Sequence, residues 1–366
     1  MMKPQASARC NAETREVSAA SSEIKHKRKL SWIKQIGEAL RPEDNRNPLV
    51  LDLFAGCGGL ALGFEAAGFE TIGYELSKDY AATYTRNLKG RCEVARITAD
   101  LLLPATPIVI AGPPCQPFSV GGKRQAAQDE RDGFPAVLAA IKRGKPELAV
   151  IENVPGLLAG ERRIYFDETA AALRDMGYIV EHQVLNAADY GVPQNRRRVF
   201  LVAHQGGFQF PEASQEQPVT AGEALGRLAK RVPSEPRLLT PSMDAYVARY
   251  EAASKCRRPR DLRLDQPSRT LTCRNLSGAT GDMMRIRLDD GRRRRLEVRE
   301  AARLQSFPDW FKFQGSTGSQ FRQVGNAVPP LLSLAIAKAA RAHLEARDSI
   351  AQSHGTASEV LVEVAA

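Results

Sequence analysis

A chain of 366 residues, 43% of them hydrophobic, is long enough for one large domain and a smaller one around a sizeable core. Its formal net charge of +10 favours polyanions such as DNA, RNA or an acidic membrane surface, without choosing among them. No apolar run approaches the roughly 20 residues that cross a bilayer, and no signal-peptide core opens the chain. Six scattered cysteines without CxxC spacing argue against a zinc site or a disulfide framework. They fit a reducing cytosol, which keeps thiols free.

Residues 1–46 read as a mostly mobile basic extension. Within it Ile24, Leu30, Ile33, Ile36 and Leu40 have the spacing of one amphipathic helix. From residue 47 the pattern changes. An apolar run over 48–54 predicts a strand ending in a glycine cluster. A helix over 59–67 stops at Gly68, a second strand covers 69–75, and a helix over 77–88 opens on Ser77 as its cap. Further strands are predicted over 107–111, 147–152, 178–185 and 198–203, with helices over 134–143 and 166–176 between them. Strands alternating with helices predict an α/β fold with a mainly parallel, doubly wound, Rossmann-like sheet over 47–205. Residues 206–324 lose that rhythm and read as a second, smaller, irregular domain, in which a helix starts near Val298. A returning helix within 325–347 rejoins the first domain, and 348–366 read as a disordered tail.

Asp52, Phe54, Gly56 and Gly58 lie at the first strand-to-helix turn, where glycines let backbone N–H groups approach a ligand at the positive end of a helix. Glu75 ends the next strand, the usual place for a carboxylate that binds ribose hydroxyls. Gly56, Gly58 and Ala61 also satisfy the dinucleotide fingerprint, so the glycines alone leave two cofactors open. Asp52 and Phe54 tilt the reading. A carboxylate suits the cationic methionine end of S-adenosylmethionine better than a pyrophosphate, and an aromatic ring can stack on adenine. Asp100, before the third predicted strand, is a candidate acceptor for the adenine amino group.

The segment 112–119, GPPCQPFS, places Cys115 after an apolar strand, at the carboxyl end where active sites of this architecture sit. Pro113, Pro114 and Pro117 stiffen its loop by fixing φ. A cysteine held so is placed to react rather than to fill a core. Glu152-Asn153-Val154 ends another strand and can face the same crevice. In QNRRR (194–198), alternation sets Gln194, Arg196 and Arg198 on one face. GNAVPP (325–330) leads into the last helix.

The order of DLFAGCGGL, GPPCQPFS, ENV, QNRRR, REAARLQSFPD and GNAVPP over about residues 48–346 resembles the bacterial cytosine-5 DNA methyltransferase family of restriction-modification type. The resemblance implies an S-adenosylmethionine-dependent enzyme acting on a flipped-out cytosine in a specific double-stranded DNA sequence. It implies Cys115 as nucleophile at carbon 6, Glu152 on ring N3 and the exocyclic amine, Arg198 near O2, and Arg196 holding the carboxylate and the loop. It sets Asp52, Phe54, Gly56, Gly58, Glu75, Asp100, Pro114 and Asn326 in or beside the cofactor site, with no metal.

It also casts 47–205 as the catalytic domain and 206–324 as the target-recognition domain. There Arg257, Arg258, Arg260, Arg263, Arg269, Arg274 and the run 292–295 are candidates to touch bases or phosphates. Thr270 is a candidate phosphate contact, and the loop 119–131, with Gly121, Gly122, Lys123 and Arg124, looks able to close over DNA. A cytoplasmic monomer bound to the nucleoid through DNA, with a restriction endonuclease cutting the same site, completes the expectation. The alternative is a tRNA cytosine-5 methyltransferase, which shares nearly all these motifs. A catalytically idle DNA-binding relative and a nicotinamide dehydrogenase are further rivals. The first is opposed by the intact Cys115, Glu152 and arginine cluster, the second by GPPCQPFS and GNAVPP.

Overall fold

The computed structural model describes residues 31–42, 48–114, 132–214, 217–232, 238–255, 260–277 and 282–363. Cys115, the loop 119–131, Arg257 and Arg258 lie outside the described residues, as do Ile24 and Leu30.

The short apolar runs form strands and the segments between them helices. In chain order come α1 (Trp32–Ala39), β1 (Leu49–Leu53), α2 (Gly59–Glu65), β2 (Glu70–Glu75), α3 (Lys78–Asn87), β3 (Arg91–Val94) and β4 (Ile108–Ala111). Then follow α4 (Phe134–Gly144), β5 (Leu148–Asn153), α5 (Glu161–Asp175), β6 (Ile179–Asn186), β7 (Gln194–Asn195) and β8 (Arg197–His204). Seven strands make one sheet in the order β3-β2-β1-β4-β5-β8-β6. Pairings from β3 across to β5 are parallel, and β8 runs antiparallel to both β5 and β6. β4 and β5 are buried from end to end, as strands covered by helices on both faces must be.

The strand order reverses between β1 and β4, so the loops after those two strands diverge and open a crevice at their carboxyl ends. The glycine loop and the segment 112–114 both begin there. β3 was not expected. It is a four-residue edge strand, largely exposed, and its Arg-Cys-Glu-Val sequence has no apolar periodicity to announce it.

The second region contains α6 (Ala221–Leu225), α7 (Pro241–Ala253), β9 (Ser268–Arg269), α8 (Cys273–Ser277), β10 (Arg285–Arg287), β11 (Arg293–Arg295), α9 (Val298–Leu304) and α10 (Thr317–Asn326). Local chemistry fixes several of these. Thr220 and Glu223 form a reciprocal capping box at the start of α6, and Thr240 caps α7 ahead of Pro241. β10 and β11 form a small antiparallel ladder, with Gly291 at a left-handed φ of 86° in the turn between them. β9 pairs with β7 in a separate two-stranded sheet, and β7 runs directly into β8, which ties this region to the seven-stranded sheet.

Two terminal expectations need correcting. Residues 32–40 are not a mobile arm. Ile36 and Leu40 are buried with Ala66 and Leu334, the Trp32 indole N–H donates to the Gly191 carbonyl at 3.1 Å, and the Trp310 indole donates to Gly37 at 3.0 Å. The last helix, α11 (Pro330–Glu363), does not stop at residue 347, and the segment read as a disordered tail continues it. That segment holds Ser, Thr, Gly and Val, which are weak helix formers, so the helix continues there by propagation from the packed turns before it. α11 lies against α2 at Gly63, where a Cβ would come within 2.4 Å of the Leu334 backbone nitrogen.

Candidate active site

The glycine loop is built by unusual backbone at three positions. Phe54, Gly56 and Gly58 have φ of 58°, 57° and 86°. For Phe54 this is the left-handed region that side chains avoid, a strain that tends to concentrate at functional sites. A Cβ at Gly58 would come within 2.9 Å of the Tyr84 ring, whereas the space beyond Gly56 is open.

Glu75 clamps this loop. Its Oε2 accepts from the Gly56 N–H at 2.9 Å and its Oε1 from the Ser77 N–H at 2.8 Å. Each oxygen keeps a further lone pair for a hydroxyl. Ser77 holds the cap position of α3 but makes no side-chain cap bond, so its contribution is the backbone N–H. Leu76, next in the chain, is 57% exposed although apolar, and the sequence reading passed over it. Its only signal was its place directly after the acidic strand end.

Asp52 is buried, and its Oδ2 has no hydrogen-bond partner among the described residues. Burial, and then the charge of Glu75, hold its carboxyl well above the usual carboxylate range. An unpartnered carboxyl oxygen so placed is costly unless a donor arrives. Cys57 is chemically quiet. Burial pushes its thiol up to about 12, and its sulfur lies 3.8 Å from the Gln323 carbonyl.

Asp100 does not join this cluster. It is exposed, and its neighbouring carbonyls, Ala99 and Leu101, accept from Arg143 in the last turn of α4, the end remote from the crevice. Thr98, and more weakly Arg143, lower its pKa, so its environment is the solvated loop that its flanking sequence allowed.

The proline segment is held from three sides. Gly112 N–H donates to the Leu53 carbonyl at 3.3 Å, and Asn153 Nδ2 donates to the Pro113 carbonyl at 3.0 Å. Gly133 admits both the Phe54 ring and Pro113, since a Cβ there would lie 2.7 Å from the ring and 2.9 Å from Pro113. Pro114, exposed, is the last described residue before Cys115. Asn153 therefore positions this segment, a role not foreseen for the middle residue of ENV.

Glu152 lies alongside, with Oε2 3.6 Å from the point where a Cβ of Gly112 would stand. It is buried, and Arg198 Nε meets its Oε1 at 2.9 Å. Burial raises its pKa, and the charges of Arg198 and Arg196 oppose that rise without cancelling it.

The alternation expected over 194–198 is present, since Gln194 and Arg196 are buried while Asn195 and Arg197 are exposed. Arg196, however, hydrogen-bonds carbonyls rather than the carboxylate: Leu271 at 2.7 Å, Gly325 at 3.0 Å and Ala327 at 2.9 Å. Burial and then Arg198 pull its pKa down to about 9, so it remains charged at neutral pH. It acts on Glu152 through its field, and on GNAVPP and the second region as a stitch. Gln194 adds to that stitch by accepting from Leu271 N–H at 2.8 Å and donating to Leu304 O at 3.1 Å. Asn326 is exposed at the end of α10, and its Oδ1 accepts from the Cys273 thiol at 2.9 Å.

Most arginines of the second region are already paired. Arg285, fully buried, binds Asp261 at 2.7 Å and Glu251 at 2.8 Å. Arg294 binds Glu300 through both terminal nitrogens, with side chains only 1% and 2% exposed. Arg260 and Arg269 share Asp282, Arg263 pairs with Asp265, Arg292 with Asp290 and Arg293 with Asp244. The expectation that the run 292–295 faces DNA does not hold for Arg294, because Glu300 draws it inward. Thr270 donates to the Asn195 carbonyl at 2.7 Å.

A strained glycine loop after β1, a clamped acidic residue after β2 and a proline segment after β4 beside a buried carboxyl–guanidinium pair define an α/β transferase frame. The comparisons with known proteins agree. The profile of the C-5 cytosine-specific DNA methylases matches residues 49–342. The type II methyltransferase M.AplI of Arthrospira platensis is 56% identical over 304 residues, covering 82% of this chain and 88% of that protein. M1.HphI of Haemophilus parahaemolyticus is 36% identical over 322 residues, covering 79% and 85%. Among solved structures, Entamoeba histolytica methyltransferase EhMeth superposes with a TM-score of 0.64 at 18% identity, covering 80% of this chain and 97% of that one.

The chain belongs to the C-5 cytosine-specific DNA methylase family. Its reaction is methyl transfer to carbon 5 of cytosine in DNA, with S-adenosylmethionine as the family's donor. The type II names of its sequence relatives weigh against the tRNA alternative. No helix among the described residues is long and apolar enough to cross a membrane.

Proposed function

We propose that the chain methylates a flipped-out cytosine within one specific duplex sequence through a covalent bond from Cys115 to carbon 6. The observation that carries this reading is the buried Glu152, held by Arg198 Nε at 2.9 Å and set against the proline segment that leads into Cys115. Carbon 5 of cytosine is a weak nucleophile until a thiolate adds at carbon 6. Negative charge then gathers toward N3, and a carboxyl whose pKa is raised by burial retains the proton that N3 needs. Arg198 orients that carboxyl and presents its remaining N–H groups to O2, while Asn153 keeps the loop in register. A free thiol is only a few per cent ionised at neutral pH, so the field of Arg196 and Arg198 favours the reactive form.

The residues at the crevice fit S-adenosylmethionine, which supplies the methyl group. The unpartnered Asp52 oxygen suits a cationic ligand end, Gly56 leaves open space, the free lone pairs of Glu75 suit ribose hydroxyls, and exposed Leu76 offers an apolar face to adenine. Phe54, Gly58, Pro114 and Asn326 complete the lining. The protein works as a cytoplasmic monomer, paired with an endonuclease that cuts the same site.

The test is a duplex containing 5-fluorocytosine. Wild-type protein with S-adenosylmethionine should form a denaturant-resistant adduct, and Cys115→Ser should form none while still shifting DNA in a gel. Turnover by Cys115→Ser would overturn the mechanism.

A further inference from the structure

We infer that Arg274 is the arginine that reads a guanine edge beside the target cytosine. The inference rests on the DNA-facing reading above and adds to it a specificity-determining residue.

The first support is an unengaged guanidinium. A guanidinium already bonded to a carboxylate must give up that partner before it can bind a base. Arg260, Arg263, Arg269, Arg285, Arg292, Arg293 and Arg294 all hold carboxylates. Arg274, like Arg227 and Arg249, is exposed and has no hydrogen-bond or ion-pair partner among the described residues, and of these three it is the one next to residues bonded to Arg196 and Asn326.

The second support is its platform. The chain around Arg274 is tethered to the active site at nearly every step. Thr270 donates to the Asn195 carbonyl at 2.7 Å, and the Leu271 carbonyl accepts from Arg196 at 2.7 Å. Cys273 donates to Asn326 at 2.9 Å. Asn275, buried on the other side, donates to the Thr270 carbonyl and accepts from the Thr272 N–H, both at 2.9 Å. The backbone is thus fixed while the Arg274 side chain projects from it. Binding then orders one side chain and no loop, the preorganised arrangement a reading residue needs.

Three residues back, Arg196 connects this segment to the arginine–glutamate pair, so a base contacted by Arg274 lies within reach of the flipped cytosine's neighbours. Arginine's paired N–H groups match O6 and N7 of guanine in the major groove. A phosphate contact would use the same donors but would affect every sequence alike.

The experiment distinguishes these outcomes. A duplex library randomised around cytosine is methylated by full-length wild type, Arg274→Ala and Arg274→Lys, then read by bisulfite sequencing. Both variants should lose preference at one base pair of the wild-type motif. The loss for Arg274→Ala should be roughly ten- to hundredfold, the worth of one bidentate pair. Trapping by 5-fluorocytosine DNA should persist in both, which shows that they are folded and competent. Arg163→Ala, which removes a guanidinium paired with Asp167, should leave the motif unchanged. An unchanged motif in Arg274→Ala would overturn the inference. So would a uniform loss across all sequences with a salt slope reduced by about one, which marks a phosphate contact. Failure of the Cys115 mechanism would appear separately, as absent trapping in wild type.

Discussion

In the seven-stranded sheet, strands such as β5 are buried from end to end, and the charged groups of the candidate site gather at their carboxyl ends. In the region after residue 207 the strands are two or three residues long and arginine-rich, and buried guanidinium–carboxylate pairs sit beside an apolar cluster that includes Leu225, Ile286 and Leu304. The first region hides apolar surface and gathers much of its buried charge at the crevice, Glu65 being an exception that ties Thr71 and the backbone of Lys89 and Gly90 together. The second uses much of its charge as scaffold, so a high arginine count there does not measure DNA contact. Buried pairs add little net stability over apolar packing but are severe to break, which ties each arginine to its partner.

The sharpest way to test this contrast is at the pair with the chemical role. Glu152→Gln should lower kcat by roughly 10²- to 10⁴-fold with little change in cofactor affinity, the usual worth of a positioned proton donor. Its pH dependence has a definite sign. Burial raises the Glu152 pKa, so the proton is retained to higher pH than on an ordinary carboxyl, and kcat should fall as pH rises through that raised value. A pH–rate profile of the glutamine variant should lack that limb. A variant losing only affinity would break the assignment.

Next in size is Arg294→Ala. It leaves Glu300 buried and alone, and should cost about 3–5 kcal/mol in denaturant unfolding. That is similar to about 2–5 kcal/mol for Leu51→Ala in the sheet. Joint replacement, Arg294→Met with Glu300→Leu, should recover most of the loss. A near-neutral Arg294→Ala would refute the idea that buried ion pairs help to hold the second region together.

Smaller again, Trp32→Phe removes one indole hydrogen bond to Gly191 and should cost about 0.5–1.5 kcal/mol. Last, Arg263→Ala breaks only a solvated pair with Asp265 and should leave Tm unchanged.

The same contrast explains what the sequence made legible. β1, β4, β5 and β8 each carry an apolar run, and the turns at strand ends named Gly56, Cys115 and Glu152 because strand ends are where this architecture binds. The alternation of Gln194, Arg196 and Arg198 followed from strand geometry alone. Partners remote in the chain were not legible. Arg285 meets Glu251 across 34 positions, and nothing near either residue marks the pair as buried. Arg196 looked like a partner for a carboxylate, yet three carbonyls claim it, two of them more than a hundred residues away. Asp100 carried the right residue type, but its flanking sequence did not fix where its loop would go. α1 was half visible as an amphipathic pattern, while its docking depends on Ala66 and Leu334.

The fit of α11 against α2 also sets an order in time. Gly59 lies beneath the Val328 carbonyl, and Gly63 beneath the backbone of Ser333 and Leu334, so the glycine loop's own helix is completed by residues made some 270 positions later. Ribosomes add about 5–20 residues per second. Late in that interval the nascent chain carries GPPCQPFS, ENV and QNRRR yet lacks the backing that holds its glycine loop. A product that ends before Leu334 lacks this backing, so it should hold S-adenosylmethionine less tightly than the full chain, which a cofactor titration would check.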